Sequence, residues 1–324
     1  MKKALITGIT GQDGSYLAQL LLRKNYQVIG LVSAKNDIGK ANIKDFEDKL
    51  ILETGDLLDK NSLEKIILKH KPDEIYNLAG ISFIPTSWAK PALTYDVNAL
   101  GPLRILQIIK DHNLTSKFFQ ASSAKIFAKS KNQSQNEETA YNPVDPYGVS
   151  KLSAHLSTQL FRRQFKLFAS CAILFNHESE RRGEDFVTRK ITLAAAKIKL
   201  GLQKNLALGN LASQADWGYA PDYVRGMWQI LQADKPDDFV LSTGKLHSVA
   251  DVCQIAFSHL GLNYQDYVVR DPQFYRPNLP KSYYGDPTKA QKILGWKRQT
   301  SFEKMIENMT EYDLSYFQTQ NPKS

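Results

Sequence analysis

Short apolar segments alternate with helix-periodic ones along the first half of the chain, and few folds satisfy that pattern. Lys3–Thr7, Tyr26–Val32, Leu50–Thr54, Glu74–Asn77 and Lys117–Ala121 read as buried strands. Between them, Ser15–Arg23, Ser62–His70 and Leu93–Asp111 carry apolar residues at helical spacing. Strands separated by helices of this length need crossover connections, which make neighbouring strands parallel. The expected fold is α/β, a doubly wound parallel sheet with helices on both faces. Lys129–Pro146 is polar and aperiodic and reads as a surface loop. Beyond residue 176 the alternation fades. Helical patterns at Val187–Leu202, Val249–Leu260 and Ser301–Thr310 then mix with loops rich in Pro and Gly. Residues 1–175, with roughly 215–243, are expected to form the sheet domain. Residues 176–214 and 244–324 are expected to form a smaller mixed α/β domain that closes over it.

A chain of 324 residues can build such cores without disulfides or structural metals. Cys171 and Cys253 make no disulfide framework, and Cys171 reads as inert core. No apolar run approaches the length of a membrane span, and the N-terminus turns polar too soon for a signal-peptide core. A cytoplasmic protein is expected. The net charge of +9 is spread over lysines with acids between them, as from Lys60 to Lys65. No helix carries a basic stripe with interleaved aromatics, so neither nucleic acid nor a membrane is an expected partner. A small phosphate-bearing ligand is compatible with the charge.

Gly8, Gly11 and Gly14 sit between the first strand and the first helix. In such a turn the first glycine permits a tight bend, the second lets backbone approach a pyrophosphate, and the third allows close helix packing. The spacing, in a strand–turn–helix context, points to a Rossmann-type dinucleotide site; a plain βα turn is the alternative. After the second strand no acid is present to hold an NAD ribose, and Lys35 follows, which leans toward NADP with NAD possible. Asp56 and Leu57, after the third strand, are expected to meet the adenine.

Tyr147 and Lys151 lie four residues apart, on one face of a helix. A phenol of pKa ~10 is a poor base near neutrality, and an adjacent ammonium is expected to lower it. Ser123, at a strand end, would orient a substrate alcohol. Together these three perform reversible alcohol–ketone hydride transfer with a nicotinamide. His177 follows the strand Ser170–Phe175, at a position open to a ligand or to packing. Arg181 and Arg182 suit a phosphate clamp, a subunit contact or solvated surface. Trp88, Trp217 and Trp228 are expected in the core. No His/Asp/Glu cluster has metal spacing, and no metal is expected.

Taken together, these residues resemble the extended short-chain dehydrogenase/reductase family. Gly8–Leu17, Asn176–Ser179, Arg181–Glu184, Phe186–Thr192, Asp216–Ala220, Phe274–Pro277 and Leu294–Trp296 are similar to its GDP-mannose 4,6-dehydratase branch. The resemblance implies an enzyme that turns a GDP-linked mannose into a 4-keto-6-deoxy sugar by hydride transfer through NADP. It implies cofactor contacts at Thr10, Gln12, Asp13, Asp56, Leu57, Leu78, Ala79, Gly80, His177 and Arg182, beside the glycines, Tyr147 and Lys151. It implies substrate contacts at Ser82, Asn176, Lys190 and Arg276, and a homodimer or homotetramer. Lys125 stands where the branch carries the carboxylate that removes the C5 proton. Gln214 and Ala215 replace a basic pair, Leu279 a glutamate and Ser33–Ala34 an arginine pair. Two other functions therefore stay open: a reductase or epimerase of a 4-keto-6-deoxy nucleotide sugar, and a non-catalytic dinucleotide-binding partner.

Overall fold

The computed structural model describes residues 1–33, 40–127, 134–274 and 283–320. Strands β1 (Lys3–Thr7), β2 (Gln27–Val32), β3 (Ile51–Thr54), β4 (Glu74–Asn77) and β5 (Lys117–Ser123) belong to one seven-stranded sheet. Ala169–Leu174 and Asp238–Leu241 extend it beyond β5, and every pairing in it is parallel. Helices cover both faces of such a sheet, which is why its inner strands read as continuous apolar runs rather than alternating ones. Ala4, Leu5, Ile6, Ile75, Tyr76, Phe118 and Phe119 are all buried.

The chain leaves β1 outward to β2 and β3, then returns to β4 on the other side of β1. That reversal opens a crevice beyond the carboxyl ends of β1 and β4, where ligands bind in folds of this kind. Thr7 fixes the two ends together. Its hydroxyl donates to Asn77 Oδ1 at 2.7 Å and accepts the backbone N–H groups of Leu78 and Ala79, each at 3.1 Å.

The predicted helix Leu93–Asp111 is in fact interrupted. It runs as Pro91–Tyr95, a wider π-type turn at Asp96–Leu100, then Gly101–Asp111. Pro102 has no N–H to give to the turn before it, and its ring crowds the carbonyl four residues back, so the helix widens there. The helix expected at Ser301–Thr310 runs instead over Phe302–Gln320. The polar segment before Pro146 is not wholly loop: Ser134–Gln135 pairs in parallel with Tyr284–Gly285. Trp88 is 62% exposed, against expectation. It lies on the short helix Ile84–Ala89, which turns only Ser87 fully inward. Trp217 is buried and stacks on Phe302, while Trp228 is half-buried with the Lys24 ammonium 3.7 Å from its ring.

A second core forms where the helices Val187–Lys199, Val249–His259 and Phe302–Gln320 meet, around Ile191, Val252, Phe257, Met305 and Met309. Two buried carboxylates tie the segments around it to the sheet. Asp216 accepts from Thr243 N and Oγ1 at 2.9 and 2.6 Å, and from Gly244 and Gly285 N at 3.0 and 3.2 Å. Asp222, on the helix Ala220–Gln232, accepts from the N–H groups of Gln299 and Thr300 at 2.9 and 3.0 Å and pairs with Arg225. Removing that carboxylate strands two backbone donors. Asp222→Ala is expected to cost about 2–4 kcal/mol of unfolding free energy in urea titrations. An unchanged midpoint would show that the carboxylate carries no such role.

Candidate active site

The turn after β1 is built as the glycine spacing implies. Gly8 has φ +70°, and a Cβ there would lie 2.8 Å from the backbone of Ala79. A Cβ on Gly14 would lie 2.1 Å from the Gly8 carbonyl oxygen. Gly11 N–H donates to that same oxygen at 3.0 Å. Helix α1 (Gln12–Arg23) follows with Gly11 as its N-cap, and no side chain caps it. The amides of its first turn, at Gln12, Asp13 and Gly14, head a cradle that any larger side chain would fill. Those features fit a dinucleotide's pyrophosphate.

Asn98 shapes the wall opposite. Its Oδ1 accepts Ile81 N–H at 2.9 Å, and its Nδ2 donates to the Ile81 carbonyl at 2.9 Å and to Ser150 Oγ at 3.1 Å. Gly80 lies so close that a Cβ would meet Asn98 Oδ1 at 2.9 Å. The sequence reading missed Asn98. The available signal was a polar residue within an apolar helical run.

The helix Pro146–Phe165 brings Tyr147 and Lys151 against the end of β5. Asp145 caps it, accepting Gly148 N–H at 2.7 Å. Ser123 is buried, its hydroxyl lies near enough to the Tyr147 phenol to oppose the rise of that phenol's pKa, and it accepts Lys125 N–H at 3.2 Å. The buried Lys151 Nζ donates to the Ala121 carbonyl at 2.9 Å and lies 5.9 Å from the Tyr147 ring centre. Burial brings its pKa down to about 8, partly offset by the Asp13 carboxylate. The Tyr147 phenol sits above its ordinary pKa, because burial outweighs the Ser123 hydrogen bond and the Arg182 charge. The expected lowering by Lys151 is thus not what this form of the protein has. The phenol is held protonated.

Lys125 is half-buried on the single turn Ala124–Ile126 that follows Ser123. Its carbonyl packs where a Gly148 side chain would go. Asp56 follows β3 and accepts Leu58 N–H at 3.0 Å, and Leu57 is buried against Gly101. Ser82 and Asn176 are exposed, while the Lys190 ammonium donates to the Ala207 carbonyl at 3.1 Å. Lys35 and Arg276 lie outside the described residues, as does Leu279.

A clasp joins α1 to the short strand Asn176–Glu178. Gln12 Nε2 donates to the His177 carbonyl at 3.0 Å, Ser179 Oγ donates to Gln12 Oε1 at 2.8 Å, and His177 Nε2 lies 2.8 Å from Asp13 Oδ2. The arginine pair packs within the chain. Arg181 covers the Tyr16 ring at 4.0 Å and bonds Ser15 Oγ, and Arg182 pairs with Glu178 at 3.2 Å. Behind the sheet, His155, Cys171 and Asp238 come within 4.8 Å of one another through donor atoms, a grouping the sequence did not reveal. Both Asp238 oxygens are already engaged by Arg162, at 2.8 and 2.6 Å. Cys171 is buried core, and burial pushes its thiol well up.

The sequence matches the GDP-mannose 4,6 dehydratase family profile over residues 5–309. The chain belongs to this family. It is 45% identical to GDP-mannose 4,6 dehydratase 2 of Arabidopsis thaliana, over 97% of this chain and 87% of that one. It is 40% identical to the human GDP-mannose 4,6 dehydratase, over 99% and 93%. The dTDP-glucose 4,6-dehydratase of Bacillus anthracis, solved in complex with NAD, superposes with a TM-score of 0.84 at 19% identity, covering 100% of this chain and 98% of its own. Family membership makes this chain an extended short-chain dehydrogenase/reductase-type enzyme of the dehydratase class.

Lys151 makes the site's cost measurable. Its folded pKa of about 8 lies below the ordinary 10.5, so the folded chain binds this proton less tightly than the unfolded one. The resulting penalty is complete below about pH 8 and fades as pH rises toward ~10.5. Lys151→Met is therefore expected to stabilise the ligand-free protein at neutral pH by up to ~3 kcal/mol, with the gain shrinking in alkali. Melting curves across that range check it; a gain independent of pH would contradict it.

Proposed function

We propose that this chain binds NADP and GDP-mannose and converts the sugar to its 4-keto-6-deoxy form, with net loss of one water. The reading rests above all on one observation: Ser123, Tyr147 and the buried Lys151 converge at the end of β5, on the same sheet edge as the glycine cradle. When bound, NADP supplies the hydride acceptor, a positive charge beside Tyr147, and the hydride for the return step. Ser123 would hold the C4 hydroxyl. Tyr147, ionised next to that charge, would take its proton as the C4 hydrogen leaves with its electron pair. Lys151 would grip the cofactor ribose and hold the phenolate. Loss of the C5 proton would then expel the C6 hydroxyl as water, and the product would gain a hydride at C6 and a proton at C5. The cofactor would end as it began.

The sugar nucleotide would lie between residues 1–175 with 215–243 and residues 176–214 with 244–324, touching Ser82, Asn176, Lys190 and Arg276. Lys125 would stand at the C5 proton. A protonated lysine cannot remove that proton, so the step would need Lys125 in its neutral form. A second reading, reduction or epimerisation of a 4-keto-6-deoxy nucleotide sugar, draws on the same Lys125 and on Tyr147 being held protonated. An apolar stripe on the Tyr147 helix, Val149, Leu156 and Leu160, is exposed beside Leu93 and Leu100 and supports a homodimer. No described helix is long and apolar enough to cross a membrane, and a cytoplasmic location accords with two free, buried cysteines.

Purified protein, GDP-mannose and catalytic NADP, followed by mass spectrometry, test the first reading. The expected result is loss of one water with no net cofactor change. Lys125→Glu should then raise the rate by ~10-fold or more. No water lost, together with gain of two hydrogens by the 4-keto-6-deoxy compound when NADPH is supplied, would replace the first reading with the second.

A further inference from the structure

The clasp sets a carboxylate where an anion has to bind. Asp13 lies in the first turn of α1, among the amides that the cradle presents. A negative side chain suits a bare helix N-terminus but repels a phosphate brought to the same place. His177 faces it. Its Nδ1 lies 2.7 Å from the Phe175 carbonyl and its Nε2 lies 2.8 Å from Asp13 Oδ2. With Asp13 ionised, both partners only accept, so both ring nitrogens must donate, and the ring that meets this geometry is the imidazolium. Tyr223 stacks on the ring at 4.6 Å and 16°, fixing its plane.

We propose that His177, held as an imidazolium, cancels the charge of Asp13 so that the cradle accepts the pyrophosphate of a dinucleotide. The proposal rests on the NADP reading of the site. His177 is a positioning residue: it acts through Asp13. The strand that leaves the sheet domain therefore controls the charge of the cofactor turn.

The surrounding charges agree in direction. Burial opposes charge on His177, but Asp13 and the Phe175 carbonyl outweigh it and raise its pKa above the ordinary 6.5. Burial likewise opposes the Asp13 carboxylate, yet His177, Gln12 and Arg182 hold it below the usual range. Arg182, from the loop after the strand, acts against the imidazolium while supporting the carboxylate, and is itself paired with Glu178. From the Tyr147 helix, Lys151 and Tyr147 feel the Asp13 charge; from the helix Ala220–Gln232 comes Tyr223, held protonated by burial. Raising the pH through the elevated His177 pKa removes the countercharge and uncovers Asp13. Dinucleotide affinity should fall in alkali.

The test is calorimetric binding of NADP to the full-length chain without any sugar nucleotide, from about pH 6 to about pH 9. Four proteins are compared: wild type, His177→Gln, Asp13→Asn and the double variant. Wild type is expected to weaken as pH rises. His177→Gln should bind ~10-fold more weakly at low pH, about one close charge contact. Asp13→Asn should bind at least as tightly as wild type and keep only the alkaline weakening that Lys151, with its pKa of about 8, itself contributes. The double variant should return to the affinity of Asp13→Asn, a rescue that a merely structural role for His177 would not give. A double variant as weak as His177→Gln overturns the proposal. So does an alkaline loss that persists undiminished in Asp13→Asn, a result readable even if His177→Gln fails to fold. Wild type that binds no NADP overturns the cofactor reading and this proposal together; tight binding with a flat pH response overturns this proposal alone.

Discussion

An ammonium buried under the end of a parallel strand is costly, and the centre of this molecule is arranged around one. Lys151 reaches the Ala121 carbonyl at 2.9 Å because its helix is pressed onto the turn that follows β5. That approach needs Gly148, whose missing side chain makes room for the Lys125 carbonyl. It also needs the cap from Asp145 to Gly148 N–H, which starts the helix at the right residue. Ser123 and Tyr147 then meet without further adjustment. The unfavourable burial of Lys151 is thus the condition for bringing these three side chains together, and the surrounding packing sustains it.

The same logic extends across the switch point of the sheet. β1 and β4 end side by side, with Thr7 joining them and Asn98 holding the following loop. The glycine turn closes onto Ala79, and the adjoining Gly80 lies beside Asn98 and Lys151, so the glycine turn and the Tyr147–Lys151 helix share one backbone support. A displacement of either would be felt at the other. The clasp from Gln12 and Asp13 to His177 and Ser179 adds a third member, the strand that departs from the sheet.

Much of this was legible in the residues. Glycine spacing fixes a turn because only backbone sterics are involved, and the clashes at Gly8 and Gly14 bear out the reading. Tyr147 and Lys151 are local neighbours on a helix, so their pairing also follows from spacing. The resemblance to the dehydratase branch is borne out by the family match. What failed depended on distant parts of the chain. The direction of the Tyr147 pKa is set by burial, which no spacing reveals. Asn98 and Thr7 do their work through partners dozens of residues away. Trp88 obeys no rule of apolar burial because its helix is too short to turn two faces inward. The grouping of His155, Cys171 and Asp238 likewise arises only where two sheet strands pair beneath the helix that carries His155.

The central claim is that Tyr147, Ser123 and Lys151 open and close one hydride cycle on a single sugar. The fate of the C4 hydrogen decides it. Enzyme is given GDP-mannose deuterated at C4, with catalytic NADP, and the product is read by NMR. The account predicts deuterium at C6 of a 4-keto-6-deoxy sugar, with the C5 proton drawn from solvent. Deuterium retained at C4, or accumulated in reduced cofactor without loss of water, would contradict it.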